Sequence, residues 1–307
     1  MIRDKILVIG AAILDVLVDP AEPEVFATGS YAADRIQIST GGDALNEASV
    51  LASLGCKVEL DTVIGDDMAG EILLRHCEEN GIELSSSRAR PDIRTGVNIV
   101  LVRENGGRCF LTDPGASLRK ISPRDVSVPF ADDIGILSFA SIFTYPAFGP
   151  KELERLFHMA KNVGIVVCAD MTSKKNNETM KDMASALRFV DYLMPNEQEA
   201  ALITGAETPE KAAEIFLEAG VKNVVIKLGA RGCYVRNANV EMVIPAVQGA
   251  RCIDTTGAGD SFCAGFLYAL SRGRALKECA RYANRCGARA VSAIGATGWL
   301  GSEPGMF

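Results

Sequence analysis

The stretch Asp254-Thr255-Thr256-Gly257-Ala258-Gly259-Asp260-Ser261-Phe262 decides how the chain is read. Cys252-Ile253 before it is strand-like, and Ser261 to Leu270 after it has helical spacing, so the glycines fall at a strand-to-helix turn. Two glycines around one small residue let the backbone turn sharply and approach a ligand closely. The N–H groups of Gly257, Ala258, Gly259 and Asp260 would then converge at a helix N-terminus, where unpaired donors and the helix dipole favour an anion. Asp260 falls in the first helical turn, beside the same spot. A carboxylate there can take a proton from a hydroxyl while the amides stabilise a transferring phosphoryl group. A plain helix N-cap is the simpler alternative.

Other motifs lie upstream. Gly41-Gly42-Asp43-Ala44-Leu45-Asn46 places paired glycines before a helix whose first turn presents Asn46. An Asn amide both donates and accepts, which suits a polyol; a turn capped by Asp43 is the alternative. Asp15 follows the first strand, Ile6–Gly10, and the carboxyl ends of strands are where open α/β sheets bind ligands. Asn196 and Glu199 follow the strand Tyr192–Met194 and share one helix face. That pair suits Mg²⁺ or its waters, or a capping box. Lys227-Leu228-Gly229 leads a strand into a glycine turn beside which a nucleotide, or a simple β-turn, would fit.

Between these motifs, short β-branched runs alternate with helical patterns. Strands are expected at Val58–Ile64, Ile134–Phe139, Ile165–Ala169 and Val224–Leu228, and helices at Leu45–Leu54 and from Asp66-Asp67 to Gly81. Such alternation predicts an α/β fold with a parallel sheet covered on both faces. Two segments break it: Glu24–Ile38, with Val25-Phe26-Ala27 read as strand, and the hairpin-like pair Thr95–Glu104 and Arg108–Asp113 around Asn105-Gly106-Gly107. They read as a small β-sheet, suited to a lid or a dimer contact.

Composition narrows the function classes. The chain has 307 residues, 32 Lys+Arg against 39 Asp+Glu and a formal net charge of −7, with no basic run, which argues against nucleic acid as partner. No apolar stretch reaches the ~18 residues of a membrane span, and the N-terminus shows no signal-peptide pattern; a cytoplasmic protein is expected. Nine cysteines without a Cys-x-x-Cys fit reduced, packed thiols. Two histidines, His76 and His158, give neither a zinc site nor a Ser-His-Asp triad. No Gly-x-x-x-x-Gly-Lys-Ser/Thr and no Gly-x-Gly-x-x-Gly after the first strand occurs, which disfavours P-loop kinases and dinucleotide oxidoreductases.

Taken in order, the motifs resemble the ribokinase-like (PfkB) family of carbohydrate kinases, from Ile6 to about Thr297. The resemblance implies a three-layer α/β/α sandwich with a mostly parallel sheet and a small β-sheet lid. It implies one domain over 1–307 with lid segments at about 20–38 and 93–114. It implies ATP as donor, Mg²⁺, in many members a monovalent cation such as K⁺, a hydroxymethyl group of a sugar-like acceptor, and pairing of the lid in a homodimer. By position, Asp260 matches the base and Gly257, Ala258 and Gly259 the anion hole. Asp15, Gly41, Gly42 and Asn46 match sugar contacts; Asn196, Lys227, Gly229 and Asn284 match nucleotide positions; Glu199 matches the Mg²⁺ motif. Asp254, Thr256, Ala290, Ala293 and Gly295 fall where the cation's ligands would be.

The acceptor stays open among sugar, sugar acid and nucleoside, and a non-catalytic sugar sensor is the reading from another class. Ser138-Phe139-Ala140-Ser141 lacks the acid that ribose-specific relatives often carry and is closer to fructokinase-type members. Arg94 would pair with a sugar-acid carboxylate, and Phe26, Tyr31, Phe110 and Phe143 would stack on a base. Asp260 is expected to work near the ordinary carboxylate pKa of ~3.9.

Overall fold

The computed structural model describes residues 3–84, 89–103, 108–175 and 177–301, and of Val25 and Arg108 the backbone alone. Asn105-Gly106-Gly107, read as the hairpin turn, lies outside the described residues.

Lys5–Ile9 shows how the main sheet is built. Its side chains alternate between two apolar layers: Ile6 and Val8 enter one, Leu7 and Ile9 the other. A strand buried on both faces must be covered on both, and it is. The helices Asp43–Ser53, Ala258–Ser271 and Leu276–Ala290 cover the first face; Pro150–Asn162, Met180–Leu187 and Pro209–Glu218 cover the second. Across the sheet the order is Glu241–Ile244, Cys233–Asn237, Asn223–Lys227, Tyr192–Leu193, Val166–Met171, Ile134–Ile142, Lys5–Ile9, Lys57–Asp61 and Ile82–Glu83. All neighbours are parallel except at Cys233–Asn237, which pairs antiparallel on both sides. That closing hairpin is not among the expected strands. Nor is there a strand at Cys252-Ile253, and the helix after the glycines opens at Ala258 rather than Ser261.

The small sheet is separate, with order Arg35–Gly41, Ile13–Asp19, Val97–Val102 and Arg108–Thr112. Two readings change here. Val25-Phe26-Ala27 is helical, within Glu24–Thr28; Pro23 precedes it, and proline is favoured at helix starts. Asp15 is not in a loop after the first strand but within the small-sheet strand Ile13–Asp19, separated from Ile9 by three residues. Phe143 lies on no strand of this sheet. It follows Ile134–Ile142 with a φ of 76° and packs against the second apolar layer.

Phe139 anchors that layer. Its ring meets Tyr145, Phe148 and Phe157 edge-on at centroid distances of 5.8, 5.2 and 5.9 Å, the favoured aromatic geometry. Truncating it removes these ring contacts and opens a cavity in the buried layer. Phe139→Ala is expected to lower the unfolding free energy by about 3–5 kcal/mol, read from urea denaturation; a loss below about 1 kcal/mol would contradict the packing described.

Candidate active site

The helix Ala258–Ser271 begins at Gly257, whose φ is 70°. A side chain there would be strained and would collide with Ala296, 2.5 Å from an ideal Cβ. Ser261 N–H makes the first bond back, to Gly257 O at 2.8 Å. The N–H groups of Gly259 and Asp260 are left without a backbone acceptor among the described residues, as at any helix start. Ala258 differs from expectation: its N–H turns back to Thr255 O at 3.3 Å.

Asp260 projects from this turn onto Asn46, whose Nδ2 donates to its Oδ2 at 2.7 Å. Residues 214 apart in sequence thus meet at one point. Asn46 Oδ1 is buried and has no partner among the described residues, a state that calls for a hydroxyl or water donor. Asp15 joins the group through Gly41: a Cβ on Gly41 would sit 2.2 Å from Asp15 Oδ2. Gly42 is the N-cap residue of the helix carrying Asn46.

Asp43 is committed elsewhere. Its Oδ1 accepts from Ala44 N–H at 2.8 Å and Ala11 N–H at 3.1 Å, and the buried Tyr145 hydroxyl donates to it at 3.1 Å. Tyr145 in turn accepts from Ala11 N–H at 2.8 Å. Its charge still acts: Asp260 is pushed up to about 7, by burial first and by Asp43 next, with Asn46 opposing. The expected ordinary carboxylate value is therefore corrected. A base near neutrality matches proton abstraction at neutral pH better than one near 4.

On the other side of the helix start lies a cavity of about 690 Å³. Asn196, Lys227, Gly229 and Asn284 all line it, with Gly259 and Phe262. The size suits a nucleotide. Asn284 spends its amide on Ile244 O and Pro245 O, at 3.1 and 3.0 Å, fixing the cavity wall. Lys227 Nζ pairs with Asp170 at 2.5 Å and lies 3.6 Å from an ideal Cβ on Gly259. Against the lowering effect of burial, Asp170 raises Lys227 and keeps it charged. Asn196 and Glu199 form the reciprocal capping box: Glu199 N–H donates to Asn196 Oδ1 at 2.9 Å, and Asn196 N–H to Glu199 Oε2 at 2.8 Å. Burial pushes Glu199 up to about 7 against the pull of Lys227.

Asp254 clamps two loops, accepting Thr256 N–H at 2.7 Å and Gly295 N–H at 2.8 Å. Ala290 ends the last helix, and Ala293 N–H donates to its carbonyl at 3.3 Å. Val291 O, not anticipated, accepts from Ile253 and Asp254 at 2.7 and 3.2 Å. Among the described residues no three His, Cys, Asp or Glu side chains group to hold a metal, so any cation here would rest on carbonyls, water and phosphate oxygens.

Arg94 is 75% exposed and paired with Asp113 at 2.8 Å. All nine cysteines are free thiols, Cys252 exposed. Asp170 and Glu47 escaped the sequence reading. Asp170 is the penultimate residue of Val166–Met171, a carboxyl-end position that alone could have flagged it.

Glu47, 1% exposed, has an Oε1 without a partner among the described residues. Burial, then the like charges of Asp260, Asp170 and Asp43, push it up to about 8 against the opposing effect of Ser138. The folded protein thus holds a proton that the unfolded chain releases near 4.5, so this contribution to stability is present below that pH and lost as pH rises through about 8. Glu47→Gln is expected to flatten the decline, gaining on the order of 1–3 kcal/mol relative to wild type between pH 5 and pH 9. Parallel urea curves at the two pH values with no relative gain would contradict a buried, protonated Glu47.

Similarities to known proteins accompany this geometry. The pfkB family carbohydrate kinase pattern matches residues 3–300. The aminoimidazole riboside kinase of Salmonella typhimurium is 31% identical over 83% of this chain and 83% of its own, and the ribokinase of Haemophilus influenzae 28% identical over 85% and 83%. The crystal structure of ribokinase from Thermotoga maritima superposes with a TM-score of 0.79 at 26% identity, covering 96% of this chain and 95% of that one.

Proposed function

The chain belongs to the pfkB family of carbohydrate kinases, and from that premise we propose that it transfers the γ-phosphoryl group of ATP to a hydroxymethyl group of a small sugar or sugar-like acceptor, with Asp260 as base. The observation that carries this reading is the 2.7 Å bond between Asn46 and Asp260. It joins the paired-glycine segment to the glycine turn at the start of Ala258–Ser271, between a nucleotide-sized cavity and Asp15.

In this reading Asp15, Gly41, Gly42 and Asn46 hold the acceptor, and Asn46 Oδ1 takes a hydroxyl proton donor. The reacting oxygen gives its proton to Asp260 as its bond to the γ-phosphorus forms. The bond from that phosphorus to the bridging oxygen breaks, and ADP leaves with the electron pair. The N–H groups at Gly257, Gly259 and Asp260 stabilise the charge on the moving group. Asn196, Lys227, Gly229 and Asn284 position the nucleotide. Mg²⁺ would supply neutralisation of the phosphate charge, and Glu199, half-buried in the first turn of the helix Glu197–Thr204, would fit it through water. Asp254, Thr256, Ala290, Ala293 and Gly295 fit a monovalent cation such as K⁺ through backbone carbonyls.

We place the small sheet over the acceptor as a lid, inserted in a single kinase domain. Its face opposite Asp15 exposes Ile36, Ile38 and Leu111, which suits a second copy of the chain. The reading puts the reaction in the cytoplasm, where ATP is made; no helix among the described residues is long and apolar enough to cross a membrane.

Asp260→Asn keeps the shape and loses the base. The expected result is a fall in kcat of at least about 10²-fold, with acceptor and nucleotide still bound by calorimetry; near wild-type kcat would sink the assignment. In wild type, kcat/KM should fall as pH drops below about 7, since Asp260 must shed its proton to act.

A further inference from the structure

Asp170 and Lys227 sit at the carboxyl ends of Val166–Met171 and Asn223–Lys227, the strands on either side of Tyr192–Leu193. Strands once removed in a sheet lie roughly 10 Å apart. The lysine side chain spans that distance, and its Nζ meets Asp170 Oδ2 at 2.5 Å. Both partners are buried, with side chains 13% and 9% exposed. Asp170 is fixed at both oxygens. Its Oδ1 accepts Met171 N–H at 2.8 Å, and Oδ2 also receives the Cys263 thiol at 3.5 Å, from the helix Ala258–Ser271. The Lys227 backbone is held too, its N–H donating to Pro195 O at 2.9 Å.

An ammonium carries three donors. Asp170 takes one, and the other two have no acceptor among the described residues. A buried cation with unfilled donors calls for an anionic oxygen. Lys227 lines the cavity of about 690 Å³, as does Gly259. Its Nζ is 3.6 Å from where a Cβ on Gly259 would stand, beside the free N–H groups of Gly259 and Asp260 at the helix start. It also opposes the rise that burial and Asp43 impose on Asp260, so its field reaches the base. The ammonium thus lies between the nucleotide cavity and the converging amides.

We infer that Lys227 is a catalytic residue: its ammonium donates to the oxygen bridging the β- and γ-phosphates, and Asp170 is the positioning residue that holds it there. This rests on the reading above that ATP is the donor and Asp260 the base. In bound ATP the bridging oxygen carries little charge. The γ-phosphorus bonds to the acceptor oxygen while its bond to the bridging oxygen breaks. The bridging oxygen takes that electron pair and becomes a terminal β-phosphate oxygen of ADP. A fixed cation at this point stabilises charge as it develops and gains little before then. Asp170 keeps the ammonium charged and in place before the nucleotide arrives.

The test compares Lys227→Met, Asp170→Asn and the double variant with wild type. Each is assayed with ATP, Mg²⁺ and whichever of D-ribose, D-fructose, 2-keto-3-deoxygluconate, cytidine and adenosine wild type turns over fastest. The double variant removes both charges and is expected to fold even where a single variant, leaving one buried charge unpaired, does not. For Lys227→Met and the double variant, kcat should fall about 10²-fold. Calorimetric binding of ATP without acceptor should stay within about threefold of wild type, while ADP, which carries the new charge, should bind about tenfold more weakly. Asp170→Asn alone should lower kcat about tenfold with KM for ATP unmoved, and should add nothing to Lys227→Met. ATP and ADP weakened equally with kcat unmoved, or no change in any of them, overturns the proposal and leaves the kinase reading intact. Additive losses from the two substitutions overturn the part given to Asp170. No turnover of any acceptor by wild type removes the kinase reading and this role with it.

Discussion

The Asn46–Asp260 hydrogen bond is the contact on which the site depends. It is made between the first turns of two helices that cover the same face of the sheet. Each helix opens on glycine, so each presents a side chain where backbone usually blocks approach. The apolar layer beneath, with Leu45, Val50, Phe262 and Phe266, holds the two helices in register. A tightly packed interior transmits small displacements rather than absorbing them, so the polar contact at the helix tips inherits the precision of the core.

That precision has an electrostatic cost. Asp43, Glu47, Asp170 and Asp260 act on one another in a low-dielectric setting, with Lys227 as the counter-charge on Asp170. Like charges so placed cannot all ionise. Asp43 accepts from backbone and tyrosine donors, and Lys227 opposes the rise that burial imposes on Asp170. Burial, with these like charges added, raises both Glu47 and Asp260, which is how an aspartate acquires a working range near neutrality.

Much of this was legible in the sequence because it is local. Strands such as Ile6–Ile9 and Val224–Ile226 are continuous β-branched or aliphatic runs, the mark of burial on both faces. The glycine turns carry their own conformational demand. What was not legible depends on neighbours. Ile13–Asp19 is broken by Asp15 and Asp19 and sits too close to the first strand to be separated by pattern. Cys233–Asn237 follows a glycine turn that conceals its start. Glu47 reads as one more polar helix position until Ser138 and the acids behind it are in place. Asp170 carries no motif, and Arg94 showed its charge but not its partner Asp113.

The Asp254 clamp gives the loop after the last helix an influence out of proportion to its own chemistry. Its two oxygens fasten Thr256 and Gly295 together, while Ala296 packs against Gly257 so closely that a Cβ there would sit 2.5 Å from it. Residues 291–296 therefore form a mechanical stop for the start of Ala258–Ser271. An ion, a neighbouring molecule or an inserted residue that displaced this stop would retune the aim of the amides without touching either reactant.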